Sequence, residues 1–138
     1  EKYYHPDLHL DITKKLLSIA NTSIDVSDGL VADLEKLINK QKLSYKLFLQ
    51  NIPISKNLNK LITLNIFKKI TSMSCGDDYQ ILFTASPSKA RIISKISKSL
   101  GIKISKIGKI CNHSEKSQII DEKNKKIALK NKGYFHKF

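Results

Sequence analysis

Two acidic segments that each contain a glycine stand out from a chain otherwise dominated by lysine. The first is Asp25-Val26-Ser27-Asp28-Gly29, and the second is Gly76-Asp77-Asp78-Tyr79. Each adjoins an apolar run, so the fold must bring carboxylates close to its core. Clustered carboxylates repel one another unless something compensates their charge, and oxygen-only ligands suit Mg2+ or Mn2+. The two segments therefore indicate a divalent-cation site.

The length of 138 residues predicts a single domain, residues 1–138. No apolar run is long enough to span a membrane and no signal-peptide pattern is present, so we expect no membrane partner. The chain begins with Glu1 rather than Met, which favours a domain of a longer product. Cys75 and Cys111 show no paired spacing, so free thiols and a cytoplasmic location are expected.

The formal net charge of +13 comes almost entirely from lysine, because Arg91 is the single arginine. Proteins that read nucleic acid usually rely on arginine for bidentate contacts to guanine and phosphate, so nucleic-acid binding is an unlikely role here. A generally basic, solvated surface is the simplest interpretation. Such a surface also attracts small anionic substrates.

Hydrophobic periodicity predicts alternating helices and strands without an internal repeat. Because the order is not a strict strand–helix–strand series, we predict an α+β fold, a layered domain with a mixed sheet packed by helices. Helices are expected over 11–20, 30–41, 58–70 and 88–100, and strands over 23–26, 43–49, 79–85, 102–110, 118–120 and 126–129.

The first acidic segment reads as the end of a strand followed by a turn into a helix. Alternation along the strand directs Asp25 and Ser27 to one side, and Asp28 follows at the turn. Free N–H groups at the start of the helix would add positive character for a phosphate. Alternatively, Ser27 or Asp28 simply caps the helix with its side chain.

The second acidic segment and the aromatic C-terminus also allow two interpretations each. Asp77 and Asp78 precede a buried strand, where only one of two neighbouring side chains would face a ligand, or they form a solvated turn. Tyr134 and Phe135 could stack on a flat ring, or they could pack against the core.

The ordered pair of acidic segments closely resembles the C-terminal half of the thiamine-monophosphate kinase family. That family carries Asp-x-Ser-Asp-Gly-Leu and then Gly-Gly-Glu-Asp-Tyr-Glu-Leu. The chain departs from the second motif at Cys75, Asp77 and Gln80, which replace Gly, Glu and an acidic residue. Further similarities lie in Tyr3-Tyr4-His5-Pro6, Ile52-Pro53-Ile54 and Gly133-Tyr134-Phe135-His136.

This resemblance implies a fold like the C-terminal domain of aminoimidazole ribonucleotide synthetase. It also implies ATP-dependent phosphorylation of thiamine monophosphate to thiamine diphosphate, assisted by Mg2+ and without a covalent enzyme intermediate. By position, Asp25 and Asp28 would be metal ligands and Ser27 an ATP-phosphate contact. Asp77 and Tyr134 would contact the thiamine substrate.

The family's other half supplies further metal-binding aspartates, part of the ATP site and the dimer interface. The resemblance thus implies a missing N-terminal domain and a homodimeric full-length protein, and we expect this domain alone to be inactive. Two alternatives stay open: a selenophosphate-forming or hydrogenase-maturation enzyme of the same superfamily, and a non-catalytic basic binding module.

Overall fold

The computed structural model describes residues 10–38 and 41–134. Within these ranges, helices and strands are mixed along the chain, and three strands follow one another at its end. The helices are α1 (Leu10–Ile19), α2 (Leu30–Leu37), α3 (Lys56–Thr63), α4 (Lys69–Ser72) and α5 (Ala90–Leu100), with 3-10 turns at Leu49–Asn51 and Pro87–Lys89. The strands are β1 (Thr22–Asp25), β2 (Leu43–Phe48), β3 (Ile81–Thr84), β4 (Gly108–Asn112), β5 (Gln118–Ile120) and β6 (Lys126–Ile127).

The strands form two sheets. β1 and β3 make an antiparallel pair, whereas the larger sheet has the order β4-β2-β5-β6. In the larger sheet β2 pairs parallel with β5 and antiparallel with β4. The pair of β5 and β6 is antiparallel. The predicted α+β class with a mixed sheet is therefore confirmed.

The β1–β3 pair lies between two hydrophobic clusters. Ile81 and Phe83 pack against the cluster formed by α1 and α5, while Leu82 packs against the cluster of α2, β2 and Met73. This division follows from the alternation of side chains along a strand. β3 thus contributes side chains to both clusters, whereas β1 joins the second of them through Ile24. Pairing with β3 positions the end of β1, where the acidic segment emerges.

Three of the predicted elements differ from the structure. Residues 58–70 do not form one helix, because the chain leaves α3 at Leu64 and Asn65 adopts a positive φ of 57°. The strand predicted over 102–110 begins only at Gly108. α2 ends at Leu37 rather than at residue 41.

Other boundaries agree closely with the predictions. Gly101 adopts the left-handed conformation that ends α5, with φ 63°. β5 and β6 form the predicted late antiparallel pair. No helix in residues 10–38 or 41–134 is long and apolar enough to cross a membrane.

Candidate functional site

The first acidic segment, residues 25–29 (hereafter the acidic turn), joins the end of β1 to the start of α2. Gly29 occupies the N-cap position of α2. The alternative that Ser27 or Asp28 is the N-cap residue is therefore wrong. Val26 is buried while Asp25 is exposed, as strand alternation requires.

Asp33, in the first turn of α2, binds the backbone of the acidic turn with its side-chain carboxylate. Its side chain is fully buried, and Oδ2 accepts hydrogen bonds from the backbone N–H groups of Ser27 and Asp28 at 2.9 Å each. A third bond comes from the N–H of Gly29 at 3.2 Å. A carboxylate of the protein itself thus sits where a bound anion would otherwise meet these donors.

Lys36 balances the charge of this arrangement. Its ammonium lies 2.7 Å from Oδ1 of Asp33 and 2.5 Å from Oδ2 of Asp28. Burial alone would raise the pKa of Asp33, but the Lys36 ammonium and the backbone N–H donors outweigh it and lower that pKa overall. The bonds to Asp28 and Asp33 raise the pKa of Lys36 in turn. Both groups are charged at neutral pH.

The expectation of free backbone donors at the start of α2 is wrong for most of this turn. Ser27, Asp28 and Gly29 donate to Asp33, as described above, and the next helical N–H groups are also engaged. Val31 donates to the carbonyl of Met73 and Ala32 to that of Lys132. A phosphate at this site must therefore be held by side chains or through a cation rather than by these amides.

The second acidic segment, residues 76–79 (the second acidic loop), pairs directly with the acidic turn. The N–H of Asp77 donates to the carbonyl of Ser27, and the N–H of Tyr79 donates to that of Val26, both at 2.9 Å. Gly76 permits this approach, because a Cβ there would lie 2.1 Å from the Ser27 carbonyl oxygen. The pairing continues the β1–β3 ladder into the two loops.

The two carboxylates of this loop lie at the surface. Asp77 adopts a positive φ of 63°, and its Oδ1 accepts a hydrogen bond from the Tyr79 hydroxyl at 3.3 Å. Desolvation by neighbouring atoms, together with the negative charge of Asp77, raises the pKa of Asp78 although its residue is exposed. Cys75, next to the loop, is an exposed free thiol.

The C-terminal segment, residues 131–134 (the tail), docks on the other side of the acidic turn. The N–H of Tyr134 donates to the carbonyl of Asp28 at 2.9 Å. Lys132 forms an ion pair with Glu35 of α2 at 2.8 Å. Gly133 is buried, and a Cβ there would lie 2.6 Å from the Asp28 carbonyl oxygen, so the tail approaches the turn as closely as backbone allows.

The structure places the predicted site residues on three segments that are joined by backbone hydrogen bonds. The acidic turn carries Asp25, Ser27 and Asp28, while Asp77 and Tyr134 flank it through the backbone contacts described above. Tyr134 is 66% exposed, so it is not a core residue. The predictions for Phe135, His136 and residues 3–6 lie outside the described residues.

The donor set fits a partial Mg2+ site. Within the described ranges, no group of three or more His, Cys, Asp or Glu side chains is arranged to hold a metal. The acidic turn carries two carboxylates, Asp25 and Asp28, and that of Asp28 also forms an ion pair with Lys36. Mg2+ commonly takes one or two protein carboxylates and completes its shell with water and substrate phosphates.

The sequence analysis left out Asp33 and Lys36 as residues of the site. Periodicity placed Asp33 off the apolar stripe of α2, which predicts exposure, whereas the residue is completely buried. An available signal was the position of an acid in the first turn of a helix that follows a turn glycine. Such carboxylates often reach back to the N–H groups preceding the helix.

Comparisons with known proteins agree with these motifs, although no family model matches the chain. Thiamine-monophosphate kinases of two subspecies of Buchnera aphidicola are similar to it. The kinase of subsp. Schizaphis graminum is 33% identical over 88% of the chain, and that of subsp. Acyrthosiphon pisum is 31% identical over 99%. The chain spans only 37% and 42% of the length of these two relatives.

Solved structures show the same relationship in three dimensions. The thiamine-monophosphate kinase of Stenotrophomonas maltophilia K279a has a TM-score of 0.73 and 25% identity, over 85% of this chain and 36% of its own. A structure described as AaThiL complexed with AMPPCP and TMP shares the fold, with a TM-score of 0.71 and 23% identity over 97% of this chain and 40% of its own. By sequence and by fold, this chain is a thiamine-monophosphate kinase-like domain.

Proposed function

We propose that this chain forms the C-terminal part of a thiamine-monophosphate kinase, in which a further N-terminal domain completes the site. The observation that most directly supports this proposal is that backbone hydrogen bonds join the acidic turn to the second acidic loop and to the tail. The names of the relatives, and the AMPPCP and TMP bound in AaThiL, support this reaction. The proposed protein is a cytoplasmic homodimer that uses ATP and thiamine monophosphate.

In the proposed reaction a phosphate oxygen of thiamine monophosphate attacks the γ-phosphorus of ATP. One P–O bond forms, the bridging bond to the β-phosphate breaks, and the products are thiamine diphosphate and ADP. Such transfers depend mainly on alignment and charge neutralisation rather than on a nucleophilic side chain. None of the residues on the three segments needs to form a covalent intermediate.

Each residue of the site has a role in this proposal. Asp25 and Asp28 hold Mg2+, which when bound neutralises the phosphate charge that builds up during transfer. The hydroxyl of Ser27 donates a hydrogen bond to an ATP phosphate. Asp77 contacts the thiamine monophosphate, and the exposed ring of Tyr134 stacks on its aromatic part.

The test is thiamine diphosphate formation from ATP, Mg2+ and thiamine monophosphate by the complete gene product. We expect product that depends on both substrates and on the metal. ATP consumption that yields no thiamine diphosphate would instead support a sister activity of the same superfamily. A folded protein that neither binds ATP nor forms product would refute the kinase proposal.

A non-catalytic basic module remains the second candidate, and the observation that favours it is the net charge of +13. Binding of random duplex DNA with a steep salt dependence would support that candidate. Salt-insensitive or absent DNA binding, combined with kinase activity, would remove it.

A further inference from the structure

Asp33 has a geometry that the proposed reaction does not yet use. Its carboxylate is completely buried, yet it is charged, and its Oδ1 accepts a hydrogen bond from the Lys36 ammonium. Its Oδ2 accepts hydrogen bonds from the consecutive backbone N–H groups of Ser27, Asp28 and Gly29. Converging N–H donors of this kind form a concave site for an anion, and here the anion is internal.

The two oxygens of the Asp33 carboxylate have different hydrogen-bond partners. Oδ2 accepts the three backbone bonds, whereas Oδ1 faces the ammonium of Lys36. Lys36 also reaches Asp28, so it links the buried carboxylate to a proposed metal ligand. The backbone of the acidic turn is therefore set by Asp33, and the side chain of Asp28 is restrained through Lys36.

The orientation of the peptide groups in the acidic turn matters because its backbone carbonyls bind the second acidic loop and the tail. The carbonyls of Ser27 and Asp28 accept the bonds from the N–H groups of Asp77 and Tyr134. If the three N–H groups lost their common acceptor, the peptide planes could rotate. Rotation would move the carbonyls and break both docking contacts.

We infer that Asp33 is a positioning residue that fixes the acidic turn for metal and phosphate binding, acting through backbone hydrogen bonds rather than as a ligand. This inference rests on the proposed function for its activity measurements alone. Groups that orient metal ligands typically affect metal affinity or activity by about 10–100-fold when they are removed.

The experiment compares the complete gene product with Asp33→Asn, Asp33→Glu and Lys36→Gln. Asp11→Asn is the matched control, because it removes an exposed carboxylate from the first turn of α1. Three quantities are measured: Mn2+ affinity, amide hydrogen exchange of the peptide containing residues 27–29, and kcat and KM. Asp33→Glu keeps the charge but displaces the carboxylate by one methylene.

We expect Asp33→Asn to raise the Mn2+ dissociation constant roughly 10-fold or more. Exchange at residues 27–29 should accelerate, and kcat should fall more than KM for thiamine monophosphate rises. Asp33→Glu should also weaken Mn2+ binding, because its oxygen is displaced. Lys36→Gln should leave the exchange protection intact, because Lys36 does not share Oδ2, and Asp11→Asn should behave as wild type.

Wild-type Mn2+ affinity and kcat in folded Asp33→Asn would overturn the inference, as would unprotected 27–29 amides or absent Mn2+ binding in the wild type. If Asp33→Asn fails to fold, unchanged Mn2+ affinity in Asp33→Glu overturns it instead. A wild type that binds Mn2+ but forms no thiamine diphosphate refutes the kinase proposal alone. In that case the affinity and exchange measurements still decide the role of Asp33.

Discussion

The backbone N–H of Tyr134 donates to the carbonyl oxygen of Asp28 at 2.9 Å. This bond joins residues that are far apart in the sequence and places an exposed aromatic ring beside a proposed metal ligand. Because the contact uses backbone atoms, it does not itself require the ring, which we propose stacks on the substrate. We therefore expect loss of the tail to affect substrate recognition.

Replacing Tyr134 by Ala should raise KM for thiamine monophosphate and leave KM for ATP unchanged. A stacked aromatic pair contributes about 0.5–1.5 kcal/mol, which corresponds to roughly a 2- to 10-fold rise. Tyr134→Phe keeps the ring and is the matched control, which should resemble wild type. Equal changes in both KM values would show that Tyr134 acts on the whole site instead.

Gly76→Ala should destabilise the protein because the added Cβ would meet the Ser27 carbonyl oxygen at 2.1 Å. Forcing an extra carbon into a packed position costs about 1–3 kcal/mol. Gly101→Ala is the control, since it introduces a positive-φ strain of about 1–2 kcal/mol but meets no atom within 4 Å.

Urea unfolding and Mn2+ titration separate the two effects. Both variants should lower the unfolding midpoint, but only Gly76→Ala should also weaken metal binding, because only Gly76 touches the acidic turn. Equal Mn2+ affinity in the two variants would argue against the close packing of the two loops.

Stability at acid pH should depend on Asp33. Its pKa is lowered on folding, so the stabilisation is present above the unfolded value of 3.8 and is lost as the pH falls through the lower folded value. The free energy of unfolding of Asp33→Asn should therefore be lower than that of wild type at neutral pH, by on the order of 2 kcal/mol. It should also decrease less on acidification.

Thermal unfolding across pH 2–7 measures this dependence, with Asp11→Asn as the control for removal of an exposed carboxylate. The difference in melting temperature between wild type and Asp33→Asn should become smaller as the pH falls. A difference that stays constant would mean that the ionised form of Asp33 does not stabilise the turn.

The isolated 138-residue chain should show no turnover. The acidic turn carries only the two carboxylates that we propose as metal ligands, and the described residues contain no group of three or more side chains arranged to hold a metal. Assay of the purified chain at saturating Mg2+, with the complete gene product in parallel, measures this. Thiamine diphosphate formation by the chain alone would refute the need for a second domain.

Sequence patterns predicted the parts of this molecule that depend on local side-chain alternation. β1, β2 and the end of α5 at Gly101 follow from apolar spacing and from a glycine that tolerates positive φ. The helix expected over 58–70 is wrong because Asn65 adopts a left-handed conformation that apolar spacing does not reveal.

The site shows the same division. Resemblance to known motifs identified Asp28 and Tyr134, which the structure brings into backbone contact. Asp33 escaped notice because its burial depends on the turn folding back over it, and its position off the apolar stripe suggested exposure. Non-local backbone contacts, such as those of Gly76 and Gly133, also have no periodic signal.

Thiamine diphosphate formation by wild type, Asp28→Asn and Asp11→Asn complete gene products is the most direct measurement of the central claim. Asp28→Asn preserves size but removes the charge proposed to hold the metal. We predict product from wild type and Asp11→Asn, and a loss of roughly 100-fold for Asp28→Asn, toward the upper range for a disrupted metal site. Full activity in a folded Asp28→Asn protein would contradict the claim that the acidic turn holds the metal.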